Sequence, residues 1–155
     1  MNNNFLNKST IEEIRKRFDD DVERFSNLQT GQQATIDAPI SLDLITDAAR
    51  AVNPLAKNLL DIGCGAGNYT LTMLSKIPDL NCTLIDLSKP MLERAMERVI
   101  SSTTGEVKII QTDLRNADLP GNYFDIILAG AVLHHLRGDN DWDLYLFLCN
   151  RLYLL

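Results

Sequence analysis

The sequence predicts an α/β protein, a three-layer sandwich in which helices cover both faces of a mostly parallel sheet. Three observations carry this. Apolar strand-like runs alternate with helical patterns from Asn58 onward. The first run, Leu59-Leu60-Asp61-Ile62, opens directly into Gly63-Cys64-Gly65-Ala66-Gly67, and a helical stripe begins at Asn68. The next two strand runs also close on or near acids, Asp86 and Asp113. In open parallel sheets those carboxyl ends are where ligands bind.

Each element has a local reason. Ser9 and Thr10 both precede a glutamate three residues on, Glu12 and Glu13, which are overlapping capping boxes. Ile11, Ile14, Phe18, Val22 and Phe25 recur at helical spacing, so a helix is expected over about 10–26. Asn27 to Asp37 is polar and reads as a loop. Pro39 suits an early helix position, Leu42, Ile45, Ala49 and Val52 form a second stripe, and Asn53-Pro54 stops it. After the first strand, Tyr69, Leu71, Met73, Leu74 and Ile77 give the next helix its packing face. Cys82 to Ile85 is a second strand, ending in Asp86. Ser88 is a helix cap with Pro90 in the first turn, and Met91, Leu92, Ala95, Met96 and Val99 follow as a stripe. Val107 to Ile110 is a third strand, Ala117 to Asn122 a loop, and Phe124 to Ala129 a fourth strand. Leu133-His134-His135-Leu136 comes next, and an apolar helix runs from Asp139 through Trp142, Tyr145, Phe147, Leu148 and Tyr153.

The 155 residues suit one domain, with a helical cap over 1–56 and an α/β core over 57–155. Net charge is −6 and no basic block occurs, so neither nucleic acid nor an anionic membrane is an expected partner. Cys64, Cys82 and Cys149 lack metal-ligand spacing and read as reduced thiols, which points to the cytoplasm, and no metal is expected. The polar start lacks a signal-like apolar core, and no segment has the length of a membrane span.

The glycines supply a turn whose backbone N–H groups can lie against a ligand. Their G-x-G-x-G spacing differs from the dinucleotide fingerprint G-x-G-x-x-G. Asp86, about 20 residues past the glycines, can accept both hydroxyls of a ribose, a position that suits NAD equally well. Asp61-x-Gly63-x-Gly65-x-Gly67, then Asp86-x-Ser88-x-x-Met91-Leu92, Gln111-Thr112-Asp113-Leu114 and Phe124-Asp125 before Leu133-His134-His135-Leu136 occur in order. This succession resembles the class I (Rossmann-like) S-adenosylmethionine-dependent methyltransferases of the small-molecule type, over about residues 58–154.

The resemblance implies S-adenosyl-L-methionine as cofactor and a small-molecule methyl acceptor. It implies that Gly63, Gly65 and Gly67, with Asp61 nearby, hold the methionine portion. Asp86 binds the ribose, Leu87 flanks the adenine, and Asp113 accepts from the adenine amino group with Leu114 beside it. Ala129 and Gly130 line the methyl-transfer side. His134 and His135 are the only histidines. His134 is the candidate general base, because an imidazole can take a proton near neutral pH. No N-P-P-Y-like element follows the fourth strand, which argues against methylation of a nucleic-acid base.

The sequence offers four strand patterns and stops where the family's fourth core helix normally runs into a fifth strand. A truncated domain is therefore expected, with the fourth strand an open apolar edge and the last helix left with little sheet to cover. That edge predicts self-association. The competing readings are a cofactor-binding fragment without activity and an NAD-dependent oxidoreductase, the latter disfavoured by the glycine spacing and Asp113.

Overall fold

The computed structural model describes residues 9–27 and 38–152. Most of the expected loop over 27–37, and Tyr153 of the last helix, lie outside the described residues. Four parallel strands form one sheet. They are β1 (Asn58–Ile62), β2 (Asn81–Asp86), β3 (Val107–Gln111) and β4 (Ile126–Leu128), in the spatial order β3-β2-β1-β4. The chain moves outward from β1 to β3 and then returns to the other side of β1. The strand order thus reverses between β1 and β4, which opens a crevice at their carboxyl ends.

Alternation along β1 sorts its side chains between two cores. Leu59 joins Leu84, Ile126 and Leu128 beneath α4 (Asn68–Leu74) and α5 (Lys89–Ile100), whose Met73, Leu74, Leu92, Ala95 and Val99 are buried there. Leu60 and Ile62 face the other way, with Ile85 and Phe124, beneath Leu148 and Leu152 of α6 (Asp139–Leu152). Helices therefore cover both faces, as the sequence predicts. α3 (Ala38–Val52) lies outside α4, tied to it by Lys76, whose ammonium reaches Asp47 at 2.6 Å.

The N-terminal helix breaks where continuity was expected. α1 (Ile11–Asp20) and α2 (Val22–Ser26) meet at Asp21, whose φ −119° and ψ 22° are not helical. Asp19, Asp20 and Asp21 crowd the negative end of the helix dipole, which disfavours carrying α1 further. Its start follows expectation: Thr10 caps Glu13 N–H at 3.2 Å, and Glu13 returns the bond to Thr10 N–H at 2.6 Å.

Three further differences have local causes. In α3, Leu42, Thr46 and Ala49 face inward while Ile45 and Val52 are exposed; Thr46 is tolerated inside because its hydroxyl donates to Leu42 O at 2.8 Å. β4 is shorter than Phe124 to Ala129. The N–H groups of Asn122, Tyr123 and Phe124 donate instead to Arg151 O and Leu152 O, so the end of α6 covers the start of this edge. Asp125 serves as a clamp whose Oδ2 accepts from Lys57 and Asn58 N–H, both at 2.8 Å. Finally, α6 is not left bare. Leu148 and Leu152 are buried on the sheet with Leu144 and Tyr145 packed beside them, whereas Trp142, Leu146 and Phe147 are exposed.

Candidate functional site

At the carboxyl ends of the strands lies one cavity of about 450 Å³. Its floor is the turn between β1 and α4. Gly63, Gly65 and Gly67 all have positive φ (65°, 52° and 82°), which L side chains rarely adopt. They face different surroundings. A Cβ on Gly65 would have nothing within 4 Å, so this backbone opens onto the cavity. A Cβ on Gly63 would meet Val132 at 2.5 Å, and one on Gly67 would meet Val99 at 3.2 Å and Ala95 at 3.3 Å. Gly67 lets α4 and α5 approach each other and does not line the cavity, whereas Gly63 and Gly65 do.

Asp86 lines the cavity and also braces the turn. Its Oδ2 accepts from Gly65 N–H at 2.8 Å and its Oδ1 from Ser88 N–H at 2.9 Å. Burial raises its pKa, and these backbone bonds pull the other way. Each oxygen keeps a lone pair for a ligand hydroxyl. Leu87 lies beside it, its carbonyl held by Gln111 at 3.1 Å.

Asp113 and Leu114 line the cavity from the neighbouring strand end, where Thr112 N–H donates to Asp86 O at 3.1 Å. Asp113 caps a single 3₁₀ turn over Leu114–Asn116, and Arg115 folds back on it with Nε at 2.8 Å from Oδ1 and an Nη at 2.5 Å from Oδ2. That guanidinium holds the carboxyl below the usual range. This acid is therefore paired within the protein, an arrangement that the spacing of the motifs does not reveal.

Asp61 lies beneath the turn and away from the cavity lining, almost fully buried, accepting from the Thr70 hydroxyl at 2.6 Å. Burial, countered by the Thr70 bond and assisted by the Asp86 charge, lifts its pKa to about 7. Ala129 packs into the core under α6, while Gly130 and Ala131 reach the cavity. His134 lines the mouth, its ring 3.8 Å from that of His135, and Phe18 meets His135 edge-on at 6.0 Å.

Several lining residues escaped the sequence reading. Tyr69 packs so closely on Gly130 that a Cβ there would lie 2.2 Å from its ring. Glycine is needed at 130 for clearance, since its φ lies outside the left-handed range. Arg17 and Phe18 enter from α1 and Phe25 from α2, so the N-terminal helices form one wall. They are held by Asn68, whose side chain donates to Phe25 O at 2.9 Å and accepts from Arg98 at 2.9 Å, and by Arg94 with Glu23 at 3.3 Å. The helical periodicity of α1 marked Phe18 and Phe25 as packing residues but could not say against what.

Comparison with known proteins matches residues 59–152 to the family model described as a methyltransferase domain. A malonyl-[acyl-carrier protein] O-methyltransferase of Paenibacillus sp. (strain JDR-2) is 26% identical over 125 residues, which cover 79% of this chain and 45% of that protein. The enzyme of the same description from Halalkalibacterium halodurans is 30% identical over 135 residues, covering 85% of this chain and 47% of the relative. The chain thus spans about half the length of the curated relatives it matches. Among solved structures, the N-methyltransferase NodS from Bradyrhizobium japonicum WM9, in complex with S-adenosyl-L-homocysteine, superposes with a TM-score of 0.69 at 18% identity. The match covers 88% of this chain and 67% of that one.

Proposed function

The chain belongs to the methyltransferase-domain family, and from that premise we propose that it binds S-adenosyl-L-methionine and transfers the methyl group to a small-molecule acceptor. One observation carries the reading: a single cavity gathers the open backbone at Gly65, the Asp86 carboxylate and the Asp113 carboxylate at the carboxyl ends of the strands. Its volume of about 450 Å³ is in the range of small-ligand sites.

The residues divide the work of holding the cofactor. Asp86 accepts the ribose hydroxyls on lone pairs left free by Gly65 and Ser88. Leu87 and Leu114 give the adenine apolar walls, and Asp113 accepts from its amino group beside Arg115. Gly63 and Gly65 let the backbone approach the methionine portion, while Asp61 and Gly67 support that turn from below. Tyr69, Gly130 and Ala131 bound the reacting end. When bound, the cofactor supplies a methyl group on a positively charged sulfur, so alignment in a dry pocket provides much of the rate. His134, at the mouth, takes a proton only from an acceptor that carries one.

We further read residues 1–155 as one domain, with 1–56 as its helical cap, working in the cytoplasm. The free thiols of Cys64, Cys82 and Cys149 support a reducing compartment. No helix among the described residues is long and apolar enough to cross a membrane. Two copies associate through the β4 edge and the exposed Trp142, Leu146 and Phe147 of α6, since β4 pairs only with β1 among the described strands. Light scattering at low micromolar concentration tests this, and a stable monomer would refute it.

Titration calorimetry with S-adenosylhomocysteine and with NAD tests the main reading. Saturable binding of the first and none of the second is expected. NAD binding alone would favour the oxidoreductase reading. Cofactor binding without methyl transfer to any acceptor, in a chain shown to be folded, would favour an inactive binding fragment.

A further inference from the structure

Arg98 of α5 does not line the cavity, yet it is bonded to two residues that do, Ala66 and Asn68. One of its amino groups donates to Ala66 O at 2.5 Å and to Asn68 Oδ1 at 2.9 Å. Among the described residues no carboxylate pairs with it. Burial, and then the Arg94 charge, lower its pKa. A half-buried cation spent on two neutral oxygens is a costly way to hold a helix. What it supplies is direction.

An arginine can only donate, so it fixes which end of the Asn68 amide faces α5. The NH₂ must point the other way, and there it donates to Phe25 O at 2.9 Å. Phe25 lies in the last turn of α2, and its ring lines the cavity 5.1 Å from that of Phe18. Two side chains thus join Ala66, in the cavity floor, to Phe25, in its wall. The Arg94–Glu23 pair also reaches α2, but it is largely exposed and contributes little. The floor is held without Asn68, by Asp86 at Gly65 N–H and by Arg98 at Ala66 O.

We propose that Asn68 is a positioning residue for cofactor binding: oriented by Arg98, its amide sets Phe25 and Phe18 against the ligand that the glycine turn holds. This rests on the reading of the cavity as an S-adenosylmethionine site. The coupling runs from floor to wall. A ligand seated on the turn meets a wall already placed by the same turn, and it holds that wall in return.

Asn68→Asp isolates this bond. Its carboxylate keeps an acceptor for Arg98 and suits the first residue of α4, at the positive end of the helix dipole, but offers no donor to Phe25 O. Amide exchange over Ile11–Ser26 is measured with and without saturating S-adenosylhomocysteine, and affinity is measured by calorimetry. In the parent the ligand should slow exchange over Val22–Ser26. In Asn68→Asp that protection should be lost and affinity should fall about three- to tenfold, while exchange in β1 stays as in the parent. Arg98→Met should weaken binding at least as much, and Arg98→Lys, which keeps a cationic donor, should recover part of the loss. A bond that only stabilises α2 would leave affinity unchanged and speed its exchange equally with and without ligand. That result, or full ligand-dependent protection in Asn68→Asp, would overturn the inference and leave the cofactor reading standing. Failure of the parent protein to bind S-adenosylhomocysteine would overturn both.

Discussion

Replacing Asp86 by alanine removes two kinds of bond at once, and they can be read separately. In the protein alone, Gly65 N–H at 2.8 Å and Ser88 N–H at 2.9 Å lose their acceptor. Bonds to a charged acceptor contribute about 1.5–3 kcal/mol each, and the burial that raises the Asp86 pKa offsets part of that, so a net loss of about 1–3 kcal/mol is expected. In the complex the ribose hydroxyls lose their carboxylate as well, a further ~1.5–3 kcal/mol, or roughly tenfold to a hundredfold in affinity. Asp86→Asn weakens both effects in part, because its one amide oxygen keeps one of the two N–H groups while its NH₂ faces the other. It should lie between parent and alanine variant in stability. Urea denaturation reads the first effect, and calorimetry with S-adenosylhomocysteine, below the melting range of both proteins, reads the second. Parent-like affinity in Asp86→Ala would refute the ribose assignment. Unchanged stability would show that the Gly65 turn does not depend on this carboxylate.

Gly65→Val should keep the fold, because its Cβ meets nothing within 4 Å, at a strain cost of about 1–2 kcal/mol for the positive φ, and should abolish cofactor binding; circular dichroism and a titration on one sample check both. Gly130→Ala should cost about 1–3 kcal/mol by driving a methyl into the Tyr69 ring, and pairing it with Tyr69→Ala should cancel part of that loss in a double-mutant cycle. Asp61 has a folded pKa of about 7, above its unfolded value, so the folded state holds a proton that the unfolded state has released and stability falls as pH rises from about 4 to about 7. Asp61→Asn keeps an acceptor for Thr70 and should flatten that slope, exceeding the parent by on the order of 2–4 kcal/mol at pH 8 in urea denaturation, with no difference near pH 4.

What was legible in the sequence had a local cause. The capping box at Thr10 and Glu13, the Ser88 cap and the glycine turn each satisfy backbone groups within a few residues, so their patterns are visible without the fold. Asp86 and Asp113 could be placed on the cavity because strand ends in a parallel sheet share one rim. The rest left no pattern to read. Arg115 is only two positions from Asp113, but that spacing suits a solvated arginine as well as one folded back, and Asp61 meets Thr70 nine residues on only because the glycine turn reverses the chain. The role of Gly130 was equally hidden, since its neighbour Tyr69 lies 61 positions away in the chain. The fourth strand was read too long because α6, through Arg151 and Leu152, takes N–H groups that an extended pattern assigns to a sheet.

The wall built by α1 and α2 has a kinetic consequence. Between them these helices bury one side chain, Ile14, among the described residues. Their ties among the described residues include Asn68 to Phe25 O, Arg94 to Glu23, Arg137 to Ser9 O and the Phe18–His135 ring contact. The sheet core beneath them buries far more apolar surface. Elements so unequally anchored open at different free energies, so amides in Ile11–Ser26 are expected to exchange before those of the sheet. Because α1 and α2 form one wall of a cavity whose floor is set by the sheet, loosening of that wall would leave the floor's geometry intact.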